Sequence, residues 1–260
     1  MNNAWYWHSH PEHPYLTTNL LKQWPHGFFT RDSWPHRPEV LTGYLDETAV
    51  VYRAKQVHGK TVVSPSDFPL DIGKSGDEVR PEADGVRTIA PQQAAWVCTA
   101  DCTPVLIADK GTGQVAAVHA GWRGTALRVV PEALRQLQNQ GSRLQDLRVA
   151  MGPAIAGEVY QVTTHVAAEV GRSLEGMADA DDALLSHLQT LEEPPVLPDP
   201  EPGRRRLDVR RINALQLQQL GLEPKQIAIA PHCTYQEPHR FFSYRRTHEK
   251  KVQWSGIVSL

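Results

Sequence analysis

The sequence predicts a mixed α/β fold, and three observations predict it. Apolar runs at 94–99, 103–108 and 114–120 are too short for helices and follow one another across turn residues, as strands do. Segments 125–138 and 208–220 place apolar residues three and four apart, the spacing of one helix face. Strand and helix patterns alternate to the C-terminus, and the strand-after-strand succession from 86 to 119 departs from a plain Rossmann order. With 260 residues and 40% hydrophobic content, a single domain over 1–260 is expected.

Composition excludes several classes of function. The formal charge of -2, from 27 basic and 29 acidic residues, sets up no field for nucleic acid or an anionic membrane surface. No apolar run approaches the roughly 20 residues that span a bilayer, and the opening MNNAWYWHSH has neither a basic nor an apolar leader region. The expected compartment is the cytoplasm. Cys98, Cys102 and Cys233 are too few, and odd in number, for a disulfide framework, so thiols are expected.

Near the N-terminus, Trp5, Tyr6 and Trp7 lead into His8, His10 and His13, and the breaks at Pro11 and Pro14 predict an exposed loop. Gly27, Phe28 and Phe29 read as a strand entering the core, with Arg31 at its end able to hold an anion or a carboxylate. TAVVYRAKQV (48–57) alternates as a strand and ends in QVHG (56–59), where Gly59 ends the strand and displays His58 at an edge. Residues 64–82, rich in Pro, Asp, Gly and Ser, read as a loop, and Asp84 with Gly85 turns into a short strand at 86–89. Asp84 is either a turn residue or a carboxylate facing a site.

TADC (99–102) follows the 94–99 strand. Cys98 reads as a buried core residue and Cys102 as the reactive thiol, while Asp101 diverges from Cys102 unless a turn at 99–101 redirects it. Beyond His119, AGWRGT makes a glycine-rich strand-to-helix turn whose free amides, with Arg123, suit an anion. In the 125–138 helix, Leu127, Val130, Leu134 and Leu137 form one face, and Pro131 either kinks it or marks its true first turn. Further on, 147–151 reads as a strand, 164–174 as a helix, and 192–206, with its prolines and the run Arg204 to Arg206, as a surface loop. Asp208 caps the 208–220 helix and Gly221 stops it; strands are expected at 226–230, 241–246 and 252–258.

Pairing 103–108 with 114–120 brings together Cys102 and His119, which sit at matching strand ends. If His58 joins them, one Cys and two His hold Zn²⁺ and leave a fourth tetrahedral position for water or substrate. The same residues also read as a metal-free pair in which Cys102 is the nucleophile and His119 its base.

The motifs QVHG (56–59), ADG (83–85), TADC (99–102), VHAGWRG (118–124), GPAI (152–155), LD (207–208), CT (233–234) and RFFSYRR (240–246) resemble the YfiH-like, laccase-domain family. That family is also called polyphenol oxidase or multicopper oxidoreductase-type, and the resemblance runs from Phe28 to the C-terminus. It implies a single-domain layered α-β-β-α sandwich with mixed sheets, similar to the cytotoxic-necrotizing-factor catalytic fold. It implies zinc on His58, Cys102 and His119. Cu²⁺ is the metal the family name claims, although the sequence lacks the repeated His-x-His motifs of a blue-copper and trinuclear centre.

The activity the resemblance implies is phosphorolysis of adenosine, inosine and methylthioadenosine, together with deamination of adenosine. The partners are then a small-molecule nucleoside and phosphate. A Lewis-acidic metal supports attack at C6 of adenine, and an anion pocket orients phosphate toward the ribose C1′. Cys102 and His119 are the implied catalytic residues, Asp84 or Asp101 the proton acceptor or ligand orienter, and Arg31, Arg123 and Arg245 the phosphate contacts. Two alternatives stand beside this: copper-dependent phenol oxidation, and a Cys–His amidase that edits peptidoglycan precursors by removing wrongly added L-serine. One departure is THEKKVQW (247–254), where the family continues with a Gly-containing turn and Thr-Gly-Arg; if that arginine helps bind phosphate, either Lys250 or Lys251 substitutes as a less directional charge or phosphorolysis is weak here.

Overall fold

The structure, a computed structural model, describes residues 4–69, 80–176 and 180–260. Its first part contains β1 (Trp5–His8), β2 (Tyr15–Thr18), β3 (His26–Phe29), α1 (Pro38–Leu41), β4 (Val50–Arg53), β5 (Val62–Val63) and β6 (Gly85–Arg87). The centre is β7 (Gln93–Thr99), β8 (Thr103–Asp109), β9 (Val115–Ala120), α2 (Trp122–Ala126), α3 (Val129–Asn139) and β10 (Leu147–Met151). There follow β11 (Gln161–Thr163), α4 (Thr164–Gly171), α5 (Asp181–Gln189), β12 (Val196–Pro198) and β13 (Arg204–Leu207). The chain closes with α6 (Val209–Gln219), β14 (Ile227–Ile229), α7 (Tyr244–Thr247) and β15 (Gln253–Val258).

Two mixed six-stranded sheets stack face to face, in the orders β1-β2-β3-β15-β7-β4 and β14-β10-β8-β9-β6-β5. Their shared core takes Phe28, Ala95, Val97 and Ile257 from the first sheet and Leu106, Ala108, Val115 and Ala117 from the second. On its other face the second sheet packs Val105, Ile107 and Val118 against Val130, Leu134 and Leu137 of α3 and Leu217 of α6. Every residue of β8 and β9 is therefore buried, which explains two unbroken apolar runs where alternation would mark a half-exposed strand. The outer face of the first sheet carries a thinner cover, Leu41 of α1 against Phe29 and Trp96. A third sheet, β11-β13-β12, joins α4 and α5 in a separate apolar cluster. Among the described residues no helix is long and apolar enough to cross a membrane.

Several sequence expectations are corrected. The expected N-terminal loop is a β1–β2 hairpin at the edge of the first sheet, and His13 is 2% exposed, beneath His10 and Tyr44. The 48–57 strand is shorter, ending at Arg53, because Lys55 bridges instead to Glu82. The expected 125–138 helix is split: Arg128 takes a left-handed φ of 62°, Leu127 is half exposed, and α3 starts afresh with Pro131 in its first turn, where no amide partner is lost. The break lets Arg128 donate to the Ser173 carbonyl at 2.8 Å.

Residues 192–206, expected as a loop, contain β12 and β13, with the arginine run forming most of β13; the α5 helix had no sequence reading. The 241–246 strand does not form. Gln253 satisfies both backbone groups of Phe242, replacing a ladder, and Ser243 caps α7 by accepting the Arg246 amide. Of the 64–82 loop, 70–79 lie outside the described residues, as do 1–3 and 177–179.

Candidate active site

The β8–β9 hairpin builds the first part of the site. Its register pairs Thr103 with Ala120 and Pro104 with His119, so Cys102 lies one residue beyond the last pair, level with Gly121. A Cβ on Gly121 would stand 2.9 Å from Cys102 Sγ and 3.4 Å from His58 Cδ2, so only glycine leaves this space to the two side chains. The glycines of the AGWRG turn thus serve close packing: α2 is five residues long, and Gly124 leaves room for the Gly59 carbonyl.

QVHG delivers the third candidate ligand, His58. Gln56 pairs its side-chain amide with both backbone groups of Cys98, extending the strand ladder by a side chain. His58, not Gly59, takes the left-handed conformation, with φ 60°. That geometry is stabilised by Asp84, whose Oδ1 accepts the His58 amide at 2.9 Å and whose Oδ2 accepts the amides of Gly59 at 2.6 Å and Val57 at 3.2 Å. His119 Nδ1 donates to the same Oδ1 at 2.8 Å.

Four donors saturate the Asp84 carboxylate, which is 0% exposed, so it fixes the His119 ring and the 57–59 turn and has no free lone pair to act as a base. Burial works against its charge, but the bond from His119 and the amides of Gly59 and His58 hold its pKa below the usual carboxylate value.

With Nδ1 committed to Asp84, His119 turns Nε2 toward Cys102 and His58. One ligand atom from each of His58, Cys102 and His119 lies within 4.8 Å of the others, and the two imidazoles stand edge to face at 4.8 Å between centroids. Burial disfavours charge on both Cys102 and His119, yet each supports the other. The imidazoles of His119 and His58 lower the Cys102 pKa, and Cys102 and Asp84 raise that of His119. The donor set fits a metal ion: a thiolate, two imidazoles, and a carboxylate fixing one ring from behind, as ligating histidines generally require.

Asp101 sits at φ 90° in the TADC turn. The turn aims its carboxylate at the C-terminal region, where Oδ1 accepts the Thr234 hydroxyl at 2.7 Å and Oδ2 the Arg245 amide at 2.7 Å. These bonds stabilise an uncommon backbone conformation and tie the start of β8 to α7.

The arginines separate. Arg245 stacks over the Tyr160 ring at 4.7 Å and donates to the Gln161 carbonyl at 2.8 Å, while the exposed Arg123 lies over Trp122 at 4.5 Å. Arg31 is not brought to this group; it donates to the Pro238 carbonyl and lies over Phe242 at 4.8 Å.

Tyr160, absent from the sequence reading, borders a cavity of about 30 Å³ with Asp101, Cys102, Gly121, Trp122 and Ile155. Burial pushes its hydroxyl up to about 12, Cys102 and Asp101 adding to the shift and Arg245 and Arg123 opposing it. The signal available in the sequence was an aromatic residue five positions after GPAI, which alone has no chemistry attached.

Cys98 is corrected from core to cleft. It is half-buried and lines, with Trp34, Arg53, Lys55, Lys250 and Trp254, a cleft of about 480 Å³. Burial pushes its thiol up to about 12. Lys251 is paired with Glu249 at 2.8 Å.

Residues 39–258 match the family described as multi-copper polyphenol oxidoreductase laccase. The chain belongs to this family. Relatives of the chain carry names of another kind. A protein of Synechocystis sp. named purine nucleoside phosphorylase is 52% identical over 263 residues, covering 99% of this chain and 98% of the relative. A protein of an unknown prokaryotic organism named adenosine deaminase RL5 is 29% identical over 180 residues, 68% of this chain and 62% of that one. The crystal structure of YlmD from Geobacillus stearothermophilus superposes with a TM-score of 0.81 at 22% identity, over 97% of this chain and 98% of that one, and shows the same fold.

Proposed function

We propose that this laccase-family chain is a zinc-dependent purine nucleoside enzyme, splitting adenosine, inosine and methylthioadenosine by phosphorolysis and deaminating adenosine. One observation carries the reading. Ligand atoms of His58, Cys102 and His119 gather within 4.8 Å in a chain 52% identical, over nearly its whole length, to a protein named purine nucleoside phosphorylase. The adenosine deaminase name of a second relative supports the second activity.

Three protein ligands leave one tetrahedral position open, the arrangement of catalytic zinc sites. Bound there, zinc supplies a Lewis acid that polarises a substrate group and acidifies water. The chain's own residues do the rest. Asp84 fixes the His119 ring and the His58 backbone, Asp101 holds the Cys102 turn against α7, and Arg245 and Arg123 lie over Tyr160 and Trp122, which border the Cys102 cavity.

Copper is the second reading, favoured by the family description. A His₂Cys set also serves blue copper, but with a weak axial methionine. Met151, the methionine among the described residues, is packed in the core beneath α3.

Metal analysis of the purified protein, followed by nucleoside assays with and without phosphate, tests the reading. The expected result is about one zinc per chain, adenine from adenosine and hypoxanthine from inosine only with phosphate, and inosine from adenosine without it. The reading fails if His119→Ala keeps zinc and full phosphorolysis, or if the protein carries copper and consumes oxygen with phenols.

A further inference from the structure

The Cys102 cavity is bordered by Tyr160, whose ring packs against the α4–α5 cluster and whose hydroxyl neither the fold nor the metal ligands employ. The backbone of Tyr160 is committed, its amide donating to Gly157 at 3.3 Å and its carbonyl accepting from Leu207 at 3.0 Å. Its hydroxyl has no hydrogen-bond partner among the described residues. Arg245 is fixed over the ring by its bonds to Gln161 and Asp101, and Arg123 lies over Trp122, whose ring borders the same cavity. Tyr160 and Cys102 line one cavity, and the Arg245 guanidinium stands 4.7 Å from the Tyr160 ring centroid.

Tyr160, Arg123 and Arg245 share one property: they are donors. A guanidinium only donates, a neutral phenol has an O–H to give, and the nearby Asp101 oxygens are already engaged by Thr234 and the Arg245 amide. A purine needs donors and acceptors together, whereas an oxyanion needs donors alone. A cavity of about 30 Å³ is far too small for a nucleoside, and admits a water or one oxyanion oxygen.

We propose that Tyr160 is a phosphate-binding residue, its O–H joining Arg123 and Arg245 around inorganic phosphate at the mouth of the Cys102 cavity. This rests on the nucleoside reading above. In phosphorolysis a phosphate oxygen bonds to the ribose C1′ as the C1′–N9 bond breaks; the bond pair leaves on the purine, which takes up a proton. Tyr160 binds and orients phosphate and supplies no proton to that balance. The nucleoside then approaches from the exposed His58 side.

The test uses zinc-loaded full-length protein and Tyr160→Phe. Inorganic phosphate binding is measured by calorimetry without nucleoside, and the ratio of phosphorolysis to deamination at subsaturating phosphate is measured with adenosine. Wild type is expected to bind phosphate, and Y160F to bind it about tenfold more weakly, with KM for phosphate rising and the ratio falling by a similar factor. Arg123→Gln, at an exposed position, is expected to weaken phosphate binding in the same direction. A wild type that binds no phosphate, an unchanged affinity in Y160F, or an equal loss of both activities overturns the proposal. If phosphate binding is present and lost in Y160F while no nucleoside is turned over, the phosphate site stands and the nucleoside reading falls.

Discussion

His119 Nδ1 donates to Asp84 Oδ1 at 2.8 Å, and that same oxygen accepts the backbone amide of His58 at 2.9 Å. One buried carboxylate therefore positions two candidate ligand residues by different means, a ring in one case and a turn in the other. Asp84→Asn places an amide donor among four donors. Metal affinity, read by competition with a chelating dye, is expected to fall about 10–100-fold, with about 1–3 kcal/mol lost in stability. Unchanged affinity would show that the carboxylate does not orient the ligands.

Gly121→Ala tests the space between Cys102 and His58. The added methyl has 2.9 Å to Cys102 Sγ, well inside contact distance. The expected outcome is retained secondary structure by circular dichroism with a sharp fall in bound metal. A variant with full metal content would mean that the two ligands approach the ion from elsewhere.

The three thiols should react very differently in metal-free protein at neutral pH. His119 and His58 favour the Cys102 thiolate, burial pushes Cys98 up to about 12, and Cys233 is buried while accepting the Ala156 amide. Iodoacetamide followed by peptide mass mapping should find the label on Cys102, and added zinc should block it. Labelling led by Cys98 would contradict the thiolate assignment.

A separate acid sensitivity is expected at His26. Its Nε2 accepts the Thr18 amide at 3.0 Å while Nδ1 donates to the Trp24 carbonyl at 2.9 Å, so the folded protein needs the neutral ring. Burial lowers its pKa from 6.5 to about 4, against a small opposing effect of the Trp24 carbonyl. The unfolded chain then binds more protons between those values. The contribution is fully present above pH ~6.5 and lost as pH falls toward ~4, about 3 kcal/mol in all. Urea unfolding of wild type and His26→Gln across this range checks it: the difference between them should shrink with acidification, and a constant difference would refute the assignment.

Much of the site was legible because its chemistry is carried by residue types at strand ends. Cys102 and His119 flank two apolar runs that could only be strands, and antiparallel pairing brings such ends together. The arginines were not legible in this way. Arg31, Arg123 and Arg245 look alike in sequence, and only the packing of Phe242, Trp122 and Tyr160 decides which of them lie over rings that border the cavity. Tyr160 itself was missed because a phenol acquires a role only from its neighbours.

The same division runs through the fold. Local pattern determined the β7, β8 and β9 strands and the α6 helix, since burial periodicity and the Asp208 and Gly221 signals act within a few residues. It determined the ligand types as well. Tertiary structure decided that RFFSYRR gives way to α7, because Gln253, 11 residues on, takes over the Phe242 backbone. It moved Cys98 to a cleft and placed Asp84 behind both histidines, 26 and 35 residues away along the chain. Hydrogen bonds across such separations leave no periodicity in a sequence, which is why the donors could be read from the chain and their arrangement could not.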